Sequence, residues 1–160
     1  MGIFYKALLC SMFLYVTESA YGQSTTLINA NGNGGFEMGT DFAANGWVEA
    51  NGTQINRWYV GTGATGYTGA RCAWVSKNGT GYTYNIYLAS VTHFYRDVTF
   101  PAGEDLATLT FSWKGEGESN VDFMKVYLVP VTTTPAAGVE LLTGQIGSAH
   151  NLTPNWTTST

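Results

Sequence analysis

The sequence predicts an all-β chain, an antiparallel β-sandwich or barrel. Three observations predict it. Apolar and polar residues alternate over short runs, as in Leu109, Phe111 and Trp113 against Thr108, Thr110 and Ser112. A period of two puts one set on a dry face and the other in water, the pattern of antiparallel sheet. Twenty glycines, several in Asn45-Gly46, Asn51-Gly52 and Asn78-Gly79, divide these runs with turn chemistry. No segment carries an apolar stripe of helical period long enough to compete, and many short strands parted by turns close into a sandwich or barrel.

Taken in order, the chain opens with Lys6, an apolar run from Ala7 to Val16, and polar residues leading to Ala20-Tyr21-Gly22. A charged start, a short apolar stretch and small residues before the cut make a secretory signal. Residues 1–22 are read as that signal peptide, cleaved after Gly22. A membrane span needs ~20 apolar residues, and this run has roughly half of them. The product is therefore expected to be secreted or held at the cell surface, with no membrane insertion after cleavage. Residues 23–160 are the 138 that follow, enough for one domain with a sizeable core. Cleavage removes Lys6 and Glu18 together, so the net charge stays at −4. Without a Lys/Arg cluster the chain has nothing to track a nucleic-acid backbone or to dock on an anionic membrane surface.

Strands are expected near residues 47–50, 57–61, 71–76, 94–100, 107–113 and 123–129. In the last, Val126 and Leu128 alternate with Lys125 and Tyr127. Cys72 is the sole cysteine after cleavage, which rules out an internal disulfide. It sits in the alternation Ala70-Arg71-Cys72-Ala73-Trp74-Val75 and reads as a buried, inert thiol. Residues 131–138 read as an exposed internal loop, because apolar residues resume at Val139, Leu141, Leu142 and Ile146. The terminal run Trp156-Thr157-Thr158-Ser159-Thr160 reads as the approach to a further strand. The domain is thus expected to be incomplete at its C-terminal end and to be the front part of a longer protein.

One ordered set of words spans residues 36–130. It starts with Phe36-Glu37, Phe42 and Gly46-Trp47, then Trp58 and Ala73-Trp74-Val75-Ser76-Lys77-Asn78-Gly79. Phe94-Tyr95-Arg96-Asp97-Val98, Phe100-Pro101-Ala102-Gly103, Phe111-Ser112-Trp113-Lys114-Gly115 and Asp122-Phe123-Met124-Lys125-Val126-Tyr127 follow. In this order the chain resembles the choice-of-anchor J domains, jelly-roll relatives of the cleaved adhesin domain in secreted and surface-displayed bacterial proteins. The resemblance implies an antiparallel β-sandwich of jelly-roll type, lacking its last strand here, and a non-catalytic extracellular module. It also implies a structural Ca²⁺ held by a carboxylate at the position of Glu37. Calcium takes six to eight oxygens, and Asp41 with the carbonyls of a turn at Gly39 are further candidates. The family's closing strand, with its Asp and Asn, does not appear before Thr160.

Four residues are candidates for a ligand surface. Trp74, Tyr82 and Tyr84 flank the polar turn Lys77-Asn78-Gly79-Thr80-Gly81, and Tyr82 and Tyr84 share a face if the chain there is extended. Exposed rings suit stacking on sugars, whereas buried ones build sandwich cores. Arg96 either lines the ligand surface, or makes a cross-strand ion pair or packs its stem over Tyr or Trp. Catalysis is not expected. Glu116 and Glu118 form the nearest thing to a hydrolytic carboxylate pair, but they lie in a glycine-rich, solvated stretch. His93 and His150 are too few and too far apart in sequence to build a zinc site. The reading is a non-catalytic binding or adhesion module for a glycan or a cell-surface or matrix protein. The other reading is a spacer domain of a larger secreted enzyme, such as a peptidase or glycosidase, whose partners are neighbouring domains of the same chain.

Overall fold

A computed structural model describes residues 24–160; the expected signal peptide over residues 1–22 lies outside the described residues. A 3₁₀ turn at Ala43–Asn45 precedes eight strands: β1 (Val48–Ala50), β2 (Arg57–Gly61), β3 (Cys72–Ser76), β4 (His93–Tyr95), β5 (Phe111–Gly115), β6 (Met124–Tyr127), β7 (Gln145–His150) and β8 (Thr153–Ser159). All pairing is antiparallel, as the alternation implied. The ladder β2–β3 is nested within β1–β4, and β6–β7 within β5–β8. The ladders remain two-stranded, so the all-β class is observed while the two broad sheets of a jelly roll are not formed by them.

The first six strands fall on or against the expected runs. β4 ends at Tyr95 because its partner β1 offers only three residues to pair with. The tail differs from expectation. Residues 153–159 form a full strand on β5, where the sequence suggested only an approach to one. Pro154 hides that strand, since proline cannot donate to a ladder. It is accommodated at a bulge: Trp113 pairs with Thr157 and Gly115 with Thr153, leaving 154–156 opposite the single residue Lys114. The face expected to be dry also departs from the pattern. Phe111 and Trp113 are half-buried, but Leu109 and Leu128 are exposed.

The Asn-Gly pairs work differently from tight hairpin turns. Only the glycines take positive φ, at +70° for Gly46, +50° for Gly52 and +78° for Gly79. The asparagines contribute side chains instead. Asn51 donates to the Trp58 carbonyl at 2.9 Å and accepts from the Trp58 N–H at 2.8 Å, taking the place of a strand partner. Asn45 has no exposed surface; it accepts from Met38 N–H at 3.0 Å and donates to the carbonyls of Asp41 at 2.8 Å and Gly39 at 3.3 Å.

Two apolar centres follow. One gathers Phe36, Phe42, Trp47, Trp58 and Phe94, with Phe94 lying 4.9 to 5.9 Å from the other four rings. The other packs Ala64, Cys72 and Trp74 beneath Tyr59 and Trp156. Cys72 is buried as expected, with burial pushing its thiol pKa up, which keeps it protonated and unreactive.

Candidate functional site

The second apolar centre reaches the surface through an aromatic patch. β5 presents Lys114 and β8 presents Trp156 across the bulge, so the two side chains are cross-strand neighbours. The Lys114 ammonium lies 5.3 Å from the Trp156 ring centre and 4.6 Å from that of Tyr82. Tyr67 completes the group, its ring 5.8 Å from Trp156 and tilted by 49°. Tyr67 is 55% and Tyr82 50% exposed, while Trp156 is half-buried.

The rings are held in place by the chain around them. Tyr82 accepts from the Thr65 N–H at 3.1 Å and donates to the Thr65 carbonyl at 3.3 Å, tying the loop after β3 to the loop after β2. That after-β3 loop is itself closed by Thr83, whose carbonyl accepts from Lys77 N–H at 2.8 Å and from Ser76 Oγ at 3.0 Å. Fixing such rings before a ligand arrives spares the ordering cost that weakens binding by mobile loops.

Of the residues singled out from the sequence, only Tyr82 belongs to this patch. Trp74 is corrected to core: it is 7% exposed, stacked at 6.0 Å on Tyr59, and offers no face to a ligand. The alternation that buries Cys72 buries Trp74 as well, because they share a face of β3. Tyr84 is half-buried and donates to Asp122 Oδ2 at 3.0 Å. Its pKa is raised by burial and then by the hydrogen bond to Asp122, so the phenol stays protonated and serves to anchor the loop before β6. It therefore does not join Tyr82 on one ligand face. Arg96 stacks its guanidinium 5.2 Å from the Trp47 ring centre, in the first apolar centre, with Nε and Nη1 buried.

The expected calcium ligands are engaged otherwise. Glu37 Oε1 accepts from the N–H groups of Ala70 at 3.0 Å and Arg71 at 2.8 Å, and Oε2 faces the Arg71 guanidinium at 3.4 Å. Gly69 makes this approach feasible: at φ +74° a Cβ there would lie 2.4 Å from Oε1. Asp41 Oδ1 accepts from Ala44 N–H at 2.7 Å, capping the 3₁₀ turn. Positive donors around Glu37 suit a carboxylate, not a cation beside it. Among the described residues no group of three or more His, Cys, Asp or Glu gathers. Glu37 and Asp41 thus spend these carboxylate oxygens on backbone N–H groups of the chain.

A separate open groove of about 360 Å³ runs past Asp41, Glu49, Asn51, Arg57, Trp58 and Tyr59. Its two carboxylates are partly spent, Glu49 on the Asn51 amide at 3.0 Å and Asp41 on the turn. Glu116 and Glu118 are exposed, and the Glu118 backbone is occupied in closing its own loop through Asp122 and Asn151. His93 points its Nε2 at the Val139 carbonyl, 2.9 Å away.

Lys114, Trp156 and Tyr67 were not among the residues singled out. The clue was available for Trp156, since a tryptophan in the Thr-rich tail is a costly residue to leave without packing. For Lys114 no local signal exists, because its position depends on which strand pairs with β5. No family model matches this chain, and neither a curated protein nor a solved structure matches it significantly.

Proposed function

We propose that this chain is a non-catalytic extracellular binding module, secreted or at the cell surface, that holds a glycan against Tyr82, Trp156 and Tyr67. The observation that carries the reading is the convergence of three rings on one surface, two of them about half exposed and one rooted in the core. Rings of this kind offer a sugar a flat apolar face and polar edges. Their attachment to paired strands and a pinned loop holds that face ready. The resemblance to choice-of-anchor J and adhesin-like modules, together with the signal-like N-terminus, points the same way.

The test is a glycan-array screen followed by titration of the hits. Tyr67→Ala removes an exposed ring that makes no side-chain hydrogen bond among the described residues, so it is expected to weaken binding with little effect on the melting midpoint. An array with no hits, or hits indifferent to Tyr67→Ala and Tyr82→Ala, would reject the reading. A second reading, a spacer packed against neighbouring domains of a longer chain, is favoured by one observation. Leu106, Val131 and Leu142 are 80%, 73% and 92% exposed, apolar surface that a neighbouring domain would cover.

A further inference from the structure

The patch contains a charge that a neutral sugar does not need. Among the described residues, the ion pairs join Arg71 to Glu37 and Lys125 to Glu140, and none includes Lys114. Arg96 also lies on an aromatic ring, but two of its nitrogens are buried beneath the surface. Lys114 instead adjoins the half-exposed Tyr82, with its ammonium over that ring and over Trp156. We infer that the glycan held here is anionic, a pyranose carrying a carboxylate or a sulfate that meets Lys114 while its ring lies on Tyr67, the ring of the patch that carries no ammonium. This rests on the proposed glycan-binding function and narrows its ligand class.

An ammonium over a ring is attracted to the face that a stacking sugar would cover. A neutral sugar must therefore displace the ammonium from that face, or settle for what it leaves free. An anionic sugar turns the same cation into a partner, and no carboxylate of the chain competes for it among the described ion pairs. A lysine suits either anion, since its ammonium acts as a compact point charge without the fork geometry of arginine. The overall field gives no help: a chain of net charge −4 repels polyanions at long range. Selectivity for an anion must then arise at this one cation.

The experiment is calorimetric titration of the full chain with four oligosaccharides of matched length. Two are anionic, an oligogalacturonate and a sulfated carrageenan fragment that carries no carboxylate, and two are neutral, a cello- and a laminari-oligosaccharide. At least one anionic ligand is expected to bind about tenfold more tightly than the neutral ones, a difference of about 1.4 kcal/mol. Lys114→Gln is expected to remove that advantage and Lys114→Arg to keep most of it, which separates lost charge from lost folding. The advantage should also shrink as salt rises, because the Debye length falls from about 10 Å at 0.1 M to about 3 Å at 1 M. Whether the carboxylate or the sulfate ligand responds identifies the source of the anion. Equal binding of neutral and anionic ligands, or an anionic preference untouched by Lys114→Gln, overturns the inference and leaves glycan binding standing. Binding of none of the four, with no hits on the array, overturns both.

Discussion

Replacing Glu37 with alanine should destabilise the chain by about 3 kcal/mol, summing two charge-assisted amide bonds at the low end of their usual range. The structure supplies the terms. One carboxylate oxygen receives two backbone N–H groups at 2.8 and 3.0 Å, and the side chain is 22% exposed, so water replaces little of what is lost. The Arg71 contacts at 3.4 Å are long and add well under about 1 kcal/mol, as partly exposed ion pairs do. Glu37→Gln keeps an oxygen for the two amides but loses the charge. Neutral bonds are about half as strong, so its cost should be about 1.5 kcal/mol. Urea unfolding followed by tryptophan fluorescence measures both variants, and each should move the midpoint without changing the slope. The order alanine, glutamine, wild type should be the same with calcium or with a chelator, because the donors on Glu37 are protein N–H groups. Two results refute the reasoning. One is Glu37→Ala within about 0.5 kcal/mol of wild type, the range of ordinary surface substitutions. The other is a calcium-dependent rise in stability that Glu37→Gln abolishes, which would make Glu37 a metal ligand.

Two further outcomes are expected. Asn45→Ala removes three hydrogen bonds made by a side chain that itself has no exposed surface; a loss of about 3 kcal/mol is expected at about 1 kcal/mol for each bond, and a neutral result by urea unfolding would remove Asn45 as the organiser of the turn. His150 packs under Phe111 and Trp113, 5.3 and 4.6 Å away, and this burial lowers its pKa from the ordinary 6.5. The unfolded chain then binds more protons than the folded one below that value, so stability is complete above the ordinary histidine range and falls as pH drops through it. Melting midpoints from about pH 7 to about pH 5, where histidine titrates, should fall more steeply for wild type than for His150→Phe; parallel curves would exclude this histidine as the cause.

Much of the first apolar centre was legible in the sequence. Phe36, Phe42, Trp47, Trp58 and Phe94 stood out as words in one ordered pattern, and they converge on one another in space. Each lies within or beside a turn or short strand whose signals are local: Gly46 after the 3₁₀ turn, Asn51 bonding to Trp58. The burial of Cys72 and Trp74 followed from a period of two on β3. Local signals also misled. Tyr82 and Tyr84 share a face only in an extended chain, and the turn through Tyr82 sends the first hydroxyl to Thr65 and the second to Asp122.

The candidate site was hidden for a reason of topology. Its residues come from 67, 82, 114 and 156, and the contact between the last two exists only because β5 pairs with β8 across two intervening strands. No local propensity states that pairing, and sequential strands are neighbours often enough to make β6 the default partner of β5. Pro154 adds a misdirection by arguing against a strand where one forms. Yet the same proline has a consequence for the site. By occupying a bulge it breaks the register between Trp113 and Gly115, so three residues of β8 face Lys114 alone. Bulges re-aim side chains and strengthen local twist. Here the bulge is where Trp156 meets both the buried Trp74 centre and the Lys114 ammonium. A regular ladder would give each residue of β8 one partner and alternate them strictly between faces. The irregularity that concealed the strand is thus the feature that gives the aromatic patch its geometry.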